Sequence, residues 1–271
     1  MTRVAAVQLA PVLGDLPGNL ERAADAVASA ARDGARLVVL PELATSGYVF
    51  ASVEEARDLA LPADDPRLAA LARAAGEAVV VVGFAEAAAD GRLHNSAALL
   101  DASGVRAVYR KAHLWDREKL VFAPGDARPP VVETPVGRVG VMVCFDLEFP
   151  EWPRLAALAG ADVLAVPTNW PRAAAHAEGQ ASEVVIAAAT ARLNRMAVVC
   201  ADRTGAERGV DWTEGTLIVD ADGRLQGRVG PGAGTAWADL DLAASRDKRQ
   251  TALSDLLGDR RPELYGPLAG R

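Results

Sequence analysis

The chain has 271 residues and a formal charge of −7, from 36 acidic and 29 basic side chains, with no basic block. That balance makes nucleic acid and anionic membranes poor partners. Apolar residues make up 51% of the chain, and no apolar run approaches the roughly 20 residues that span a bilayer, so residues 1–271 read as one globular domain with a sizeable core.

The start, Arg3 to Leu9, is too short and too strand-like for the apolar region of a signal peptide. Val4 to Leu9 reads as a first strand, followed by a Pro/Gly loop from Pro11 to Gly18. Asn19 is the expected N-cap of a helix running to about Asp33, with Leu20, Ala24, Val27 and Ala31 on one face and Gly34 as its C-cap. Arg36 to Leu40 is a buried strand that stops at Pro41-Glu42. This βαβ-like unit delivers a carboxylate, Glu42, to the carboxyl edge of a sheet, where open α/β sheets hold their ligands.

Ser52 to Ala60 and Pro66 to Ala75 read as helices, and Ala78 to Phe84 as another apolar strand. His94 to Leu100 and Val105 to Tyr109, joined by the turn sequence Asp101-Ala102-Ser103-Gly104, form an antiparallel hairpin. It ends in Arg110-Lys111-Ala112-His113-Leu114, and the polar loop Trp115 to Pro130 then carries Glu118 and Lys119. Val139 to Val143 is a buried β-branched run that stops at Cys144, and Pro150 opens a helix near Glu151 to Ala159.

Val163 to Pro167 is a strand that opens into Thr168-Asn169-Trp170-Pro171. A long helix, about Ala173 to Asn194, precedes the strand Ala197 to Ala201. Leu217 to Val219 and Thr235 to Leu240 are two more strands, with Asp222-Gly223 in a turn between them, and the charged tail from Ala243 holds one more helix. Parallel and antiparallel strands with helices between them indicate two packed sheets covered by helices.

The chemistry-bearing residues are few. No Gly-x-Ser-x-Gly elbow is present. His94, His113 and His176 lie far apart without ligand-spaced partners, so a metal site is not expected. Two cysteines, Cys144 and Cys200, make no disulfide framework and fit a reducing cytoplasm, with Cys200 read as a core residue. Glu42, Lys111 and Cys144 remain, each directly after an apolar strand and each costly to leave near a core without a partner. Together they permit one chemistry: a thiolate, favoured by the nearby Lys111, attacks a carbonyl or nitrile carbon, a carboxylate takes the thiol proton, and an ammonium meets the oxyanion.

Pro41-Glu42, the stretch Tyr109 to Leu114, and Cys144-Phe145-Asp146 through Phe149-Pro150-Glu151 resemble, in that order, the three motifs of the nitrilase (carbon–nitrogen hydrolase) superfamily. The resemblance extends from Ala5 to Leu9, through Asn95-Ser96, to Ala201 to Gly205. It implies an α/β fold, a four-layer α-β-β-α sandwich of mixed sheets, commonly paired into a homodimer or higher homo-oligomer. It also implies hydrolysis of a non-peptide C–N bond through a cysteine thioester, a reaction whose steps require no cofactor. Carried over, Glu42 is the general base, Lys111 the oxyanion stabiliser and Cys144 the nucleophile. Glu118 is similar to the family's second glutamate, which orients the lysine or the substrate amide. Tyr48, Phe145 and Trp170, in loops after these strands, are the expected substrate-pocket wall. One departure is Thr190 and Leu193, which stand where relatives often carry a charged pair near the end of the long helix.

The expected substrate is a small amide or N-carbamoyl compound, because Phe145-Asp146 resembles the amidase side of the family rather than the Trp-Glu of nitrile-hydrolysing members. A nitrile substrate, acyl transfer through the same thioester, and a binding subunit without turnover are the alternatives. A Cys-His hydrolase with His113 as base is another, since His113 stands two residues from Lys111.

Overall fold

The structure, a computed structural model, describes residues 1–172 and 180–269. Strand β1 (Thr2–Gln8) leads into helix α1 (Leu16–Arg32), and β2 (Leu37–Val39) returns parallel to β1. The expected cap of α1 is displaced. Asp15 caps the helix by accepting from Gly18 N at 3.0 Å, and Pro17 supplies the fixed φ of the first turn. Asn19 is instead a buried residue inside α1: its side chain accepts from Val12 N at 2.8 Å and donates to Val12 O at 2.7 Å. The buried face accordingly runs through Leu16, Asn19, Ala23, Val27 and Ala30, one position off the expected stripe at most points. Gly34 ends the helix as expected, at φ +90°.

Helices α2 (Val53–Asp58) and α3 (Pro66–Ala75) precede β3 (Val79–Ala87). The hairpin of β4 (Leu93–Asp101) and β5 (Gly104–Arg110) follows. The second sheet begins with β6 (Val131–Thr134), a strand the sequence reading missed, and β7 (Gly137–Val141). After α4 (Glu151–Leu158) and β8 (Val163–Pro167) the chain reaches α5 (Ser182–Asn194). The first part of the long helix read from the sequence, 173–179 with His176, lies outside the described residues; the described helix begins at Ser182.

Strand β9 (Ala197–Ala201), the small hairpin β10 (Ala206–Glu207) and β11 (Val210–Asp211), and β12 (Leu217–Val219) follow. The Asp222-Gly223 turn leads into an additional strand, β13 (Leu225–Arg228), before β14 (Gly234–Leu240). Exposed at Leu225, Gln226 and Arg228, β13 lacks the apolar run that marks a strand in sequence.

One sheet runs β14-β1-β2-β3-β4-β5 and the other β13-β12-β9-β8-β7-β6. Each has a parallel centre flanked by antiparallel strands. Side-chain alternation builds the layers. In β1, β2 and β3, Val4, Ala6, Leu37, Val39, Val79 and Val81 pack toward the second sheet. Their neighbours Ala5, Val7, Val38, Val80 and Val82 pack under α1 and α3. The second sheet's other face receives Ala156 and Ala157 of α4 and Val184, Ala187 and Ala191 of α5. The result is the four-layer α-β-β-α sandwich. Its parallel centres point their carboxyl ends at a common edge, where Asn169 Nδ2, after β8, donates to the backbone oxygen of Glu42, after β2, at 2.8 Å.

Candidate active site

Glu42 reaches this edge on a tight turn. Leu43 is left-handed at φ +47°, and Ala44 N donates to Gly83 O at 2.9 Å. Gly83 of β3 is required there, because a Cβ on it would lie 2.5 Å from Glu42 Cα and 2.6 Å from Leu43 N. The β4–β5 pairing ends at Ser96 and Arg110, so Lys111 is the first residue past it, its N–H on Asn95 O at 2.8 Å. Gly125 N in turn donates to Lys111 O at 2.8 Å, which pins the lysine's backbone on both sides.

The Lys111 ammonium is fully buried and donates to Glu42 Oε1 at 2.8 Å and to Glu118 Oε1 at 2.7 Å. Asn95 Nδ2 adds a bond to Glu42 Oε1 at 2.6 Å, whereas Glu42 Oε2 is buried with no hydrogen-bond partner among the described residues. Glu118 sits in a short helical turn, Asp116–Leu120, that brings it back over Lys111. Its Oε1 also accepts from the Tyr48 hydroxyl at 2.6 Å, and its Oε2 from Trp115 N at 3.0 Å.

Cys144 follows β7 at the start of a helical turn, Cys144–Glu148, with φ +48°, a conformation that costs a side-chain-bearing residue about 1 kcal/mol or more. Such an angle persists only where the surroundings over-determine it. Its thiol is buried, 4.0 Å from the backbone oxygen of Asn169, and feels the charges of Glu42, Lys111 and Glu118.

Electrostatics give the cluster a definite protonation pattern. Burial pushes Glu42 up to about 7, against the pull of Lys111 and with the help of the Glu118 charge. Burial disfavours the Lys111 ammonium, but Glu118 and Glu42 outweigh it and hold the lysine above its ordinary range. Burial and the Glu42 carboxylate raise the Cys144 thiol well above its usual range, and Lys111 does not reverse this. The expected thiolate is therefore corrected to a neutral thiol, which must lose its proton as it attacks. Such a cluster can supply a nucleophile, a base titrating near neutrality and a fixed cation within one dry site.

Of the residues expected from sequence, Glu42, Lys111, Cys144 and Glu118 are brought together. Tyr48 joins them through Glu118 and, with Phe122, Pro171 and Val210, borders a hollow of about 220 Å³ beside the cluster. Phe145 stands edge-on to Trp115 and Phe149 and borders a different hollow with His113. Trp170 is buried in the core cluster against Gly215, its backbone N–H donating to the Asp202 carboxylate at 3.0 Å. His113 places its ring Nδ1 on Asp146 at 2.7 Å.

Sequence reasoning did not single out Asn169, which bridges the two sheet edges, nor the support behind Tyr48. Its signal was a polar Thr-Asn pair directly after the buried β8. Behind Tyr48, Glu207 accepts from Tyr48 N at 2.8 Å and pairs with the buried Arg203 at 2.8 Å. Arg203 lies over the Trp212 ring, which meets Tyr48 edge-on.

The comparisons with known proteins agree with this geometry. A family model for carbon–nitrogen hydrolases matches residues 3–250. The chain is 37% identical to a Pyrococcus abyssi protein named nitrilase, over 98% of this chain and 99% of that one. It is 35% identical to an (R)-stereoselective amidase from a Pseudomonas species, over 97% and 93%. Among solved structures, a variant of the amidase from Nesterenkonia sp. AN1 superposes with a TM-score of 0.82 at 29% identity, covering 99% of this chain and all 100% of that one. In that structure acrylamide has undergone Michael addition at the active-site cysteine.

Proposed function

The chain belongs to the carbon–nitrogen hydrolase family, and on that premise we propose that it hydrolyses small amides or N-carbamoyl compounds through a thioester on Cys144. The observation that carries this reading is the buried Lys111 ammonium held between Glu42 and Glu118, within electrostatic reach of the Cys144 thiol.

In this mechanism Sγ of Cys144 bonds to the carbonyl carbon while Glu42 takes the thiol proton. Lys111, with the backbone N–H of Phe145, meets the developing oxyanion; one preorganised donor of this kind is worth roughly 3 kcal/mol. Collapse breaks the C–N bond, and Glu42 returns the proton to the departing ammonia or amine. Glu42 then deprotonates water, which attacks the thioester and releases the acid and the thiol. Glu118 holds the Lys111 ammonium toward the site, and Tyr48, which borders the hollow beside it, belongs to the substrate's surroundings. The chain's own residues supply every step, and the reading requires no cofactor.

A nitrile substrate is the second reading, favoured by the name of the Pyrococcus abyssi relative. A panel of amides, carbamoyl compounds and nitriles, scored for ammonia release and for an acyl adduct on Cys144, tests both. Product acid without any adduct on Cys144 would sink the proposal.

The reading also takes residues 1–271 as one carbon–nitrogen hydrolase domain, cytoplasmic and a homo-oligomer. Both cysteines are free thiols, as a reducing compartment keeps them. Leu158, Val185 and Leu193 are exposed on α4 and α5, an apolar surface that a second copy can cover. No helix among the described residues is long and apolar enough to cross a membrane. Light scattering on the eluting protein decides the assembly: a monomer mass would remove that part.

A further inference from the structure

Asp146 stands two residues beyond Cys144 and is fully buried. Its carboxylate accepts four hydrogen bonds. Oδ2 takes Val143 N at 3.1 Å and the Tyr109 hydroxyl at 2.8 Å; Oδ1 takes His113 N at 3.1 Å and His113 Nδ1 at 2.7 Å. The first of these donors precedes the nucleophile. The other three come from Tyr109 and His113, which bracket Lys111 by two residues on either side.

We propose that Asp146 is a positioning residue for the reaction, a strut that ties the Cys144 turn to the strand end bearing Lys111 and so sets the separation of thiol and ammonium. The inference rests on the mechanism given above. Capping the helical turn requires only the bond to Val143 N. The three further bonds cross 33 and 37 residues of chain and join the two segments that must meet for chemistry.

Both crossing partners are themselves fixed from the far side of the nucleophile turn. Trp152 of α4 donates to the Tyr109 oxygen at 2.8 Å, and Ala112 N approaches it at 3.3 Å. The His113 ring stacks on Phe149, centroids 3.8 Å apart, and meets Trp152 edge-on at 4.8 Å. The loop of contacts is closed: Cys144 turn, Asp146, Tyr109 and His113, Phe149 and Trp152, and back to the turn. This closure accounts for a left-handed cysteine held in place without a glycine.

Asp146→Asn tests it, because the isosteric amide keeps the volume but turns one oxygen into a donor that faces N–H or O–H groups. The expected result is a kcat lower by roughly 100-fold with KM changed less than about threefold, since a small misplacement of reacting groups costs about that much. A second readout needs no substrate: the rate at which iodoacetamide alkylates Cys144, followed by mass spectrometry, should fall at least about tenfold. If no amide is turned over by the wild type but Asp146→Asn still slows alkylation, the strut stands and the proposed substrate fails.

Wild-type alkylation and wild-type kcat per folded molecule in Asp146→Asn, whatever its melting temperature, would reduce Asp146 to ordinary structural support. Should that variant not fold, Tyr109→Phe and His113→Asn each remove one strand-end donor and leave the carboxylate in place. Each is expected to slow Cys144 alkylation and kcat by about three- to tenfold, with effects that do not add in the double variant. Unchanged rates in both overturn the proposal.

Discussion

The Lys111 ammonium lies 2.8 Å from Glu42 Oε1, and neither side chain has any exposed surface. A pair so buried is costly to break, because the remaining partner keeps its charge without compensation. Lys111→Ala leaves two carboxylates, Glu42 and Glu118, facing one another in the dry site. It is expected to lower activity at least about 100-fold and stability by roughly 3–5 kcal/mol. Denaturant unfolding and kcat measured together check both halves. A Lys111→Ala enzyme as stable as the wild type would mean that the ammonium is not needed to hold the carboxylates.

Glu42→Gln separates chemistry from folding at the same position. The amide keeps the volume and can still accept from Lys111 and Asn95, so the variant should fold. Loss of the base should cost at least about 100-fold in kcat. Turnover within a few fold of wild type, measured on the best amide of a substrate panel, would remove Glu42 as the base.

Much of this arrangement is readable in the chain before any coordinates. Glu42, Lys111 and Cys144 each follow an uninterrupted apolar run, and a buried strand that ends in a charged or nucleophilic residue announces a sheet edge. Asn19 shows where local reading fails. Its composition suits a cap, but Asp15 and Pro17 start the helix a turn earlier, and the asparagine is drawn inside to satisfy Val12 and Thr45. Strand β13 carried no apolar signal because its residues face outward, and its pairing with β12 is decided by the sheet. Asp146 was legible as part of a motif, but not the partners that give it work, since Tyr109 and His113 reach it from more than 30 residues away.

Cys144→Ala should abolish turnover and leave the fold intact, because loss of one sulfur at the site edge removes little packed volume. With a slow substrate, the wild type should carry an acyl adduct on Cys144 and none on Cys200, which is fully buried in β9. An adduct on Cys200 would overturn the assignment. A chelator such as EDTA should leave the rate unchanged; inhibition reversed by zinc would mean a metal enzyme.

The pH profile follows from Glu42. Burial raises its pKa to about 7, so below that pH the carboxyl is protonated and cannot take the thiol proton. kcat/KM should therefore fall as pH drops through about 7, with an acid limb of unit slope, and Glu42→Gln should flatten the limb. A profile flat down to pH 5 would show that the base titrates in the ordinary carboxylate range.

Gly83→Ala probes the turn that presents Glu42. A methyl there would sit 2.5 Å from Glu42 Cα and 2.6 Å from Pro41 O, both backbone atoms that can yield only by moving the turn. The turn carries Leu43 at φ +47° and cannot relax freely. Overpacking of this kind costs about 1–3 kcal/mol, and the shift of Glu42 should lower kcat at least about tenfold. A variant with full activity and a lowered melting temperature would show that Glu42 is held by Asn95 and Lys111 alone.

The choice between amide and nitrile turns on hydrogen-bond acceptors. The sequence suggested Glu118 as the group that holds the substrate amide, but both of its oxygens already accept bonds, from Tyr48 and Lys111 on one and Trp115 N on the other. Glu42 Oε2 is a buried carboxylate acceptor without a partner among the described residues, as are the amide oxygens of its neighbours Asn95 and Asn169. A buried carboxylate oxygen without a donor costs on the order of 1–3 kcal/mol. An amide brings N–H groups that can relieve that cost at the start of the reaction, whereas a nitrile has none and leaves the oxygen unpaired until the thiol proton arrives. Phe145-Asp146 after the nucleophile points the same way. A matched aliphatic amide and nitrile, compared by kcat/KM, should favour the amide by at least about tenfold, the factor that corresponds to 1.4 kcal/mol. A preference for the nitrile, with the carboxylic acid as product, would show that the unpaired oxygen does not select the substrate and that the second reading is correct.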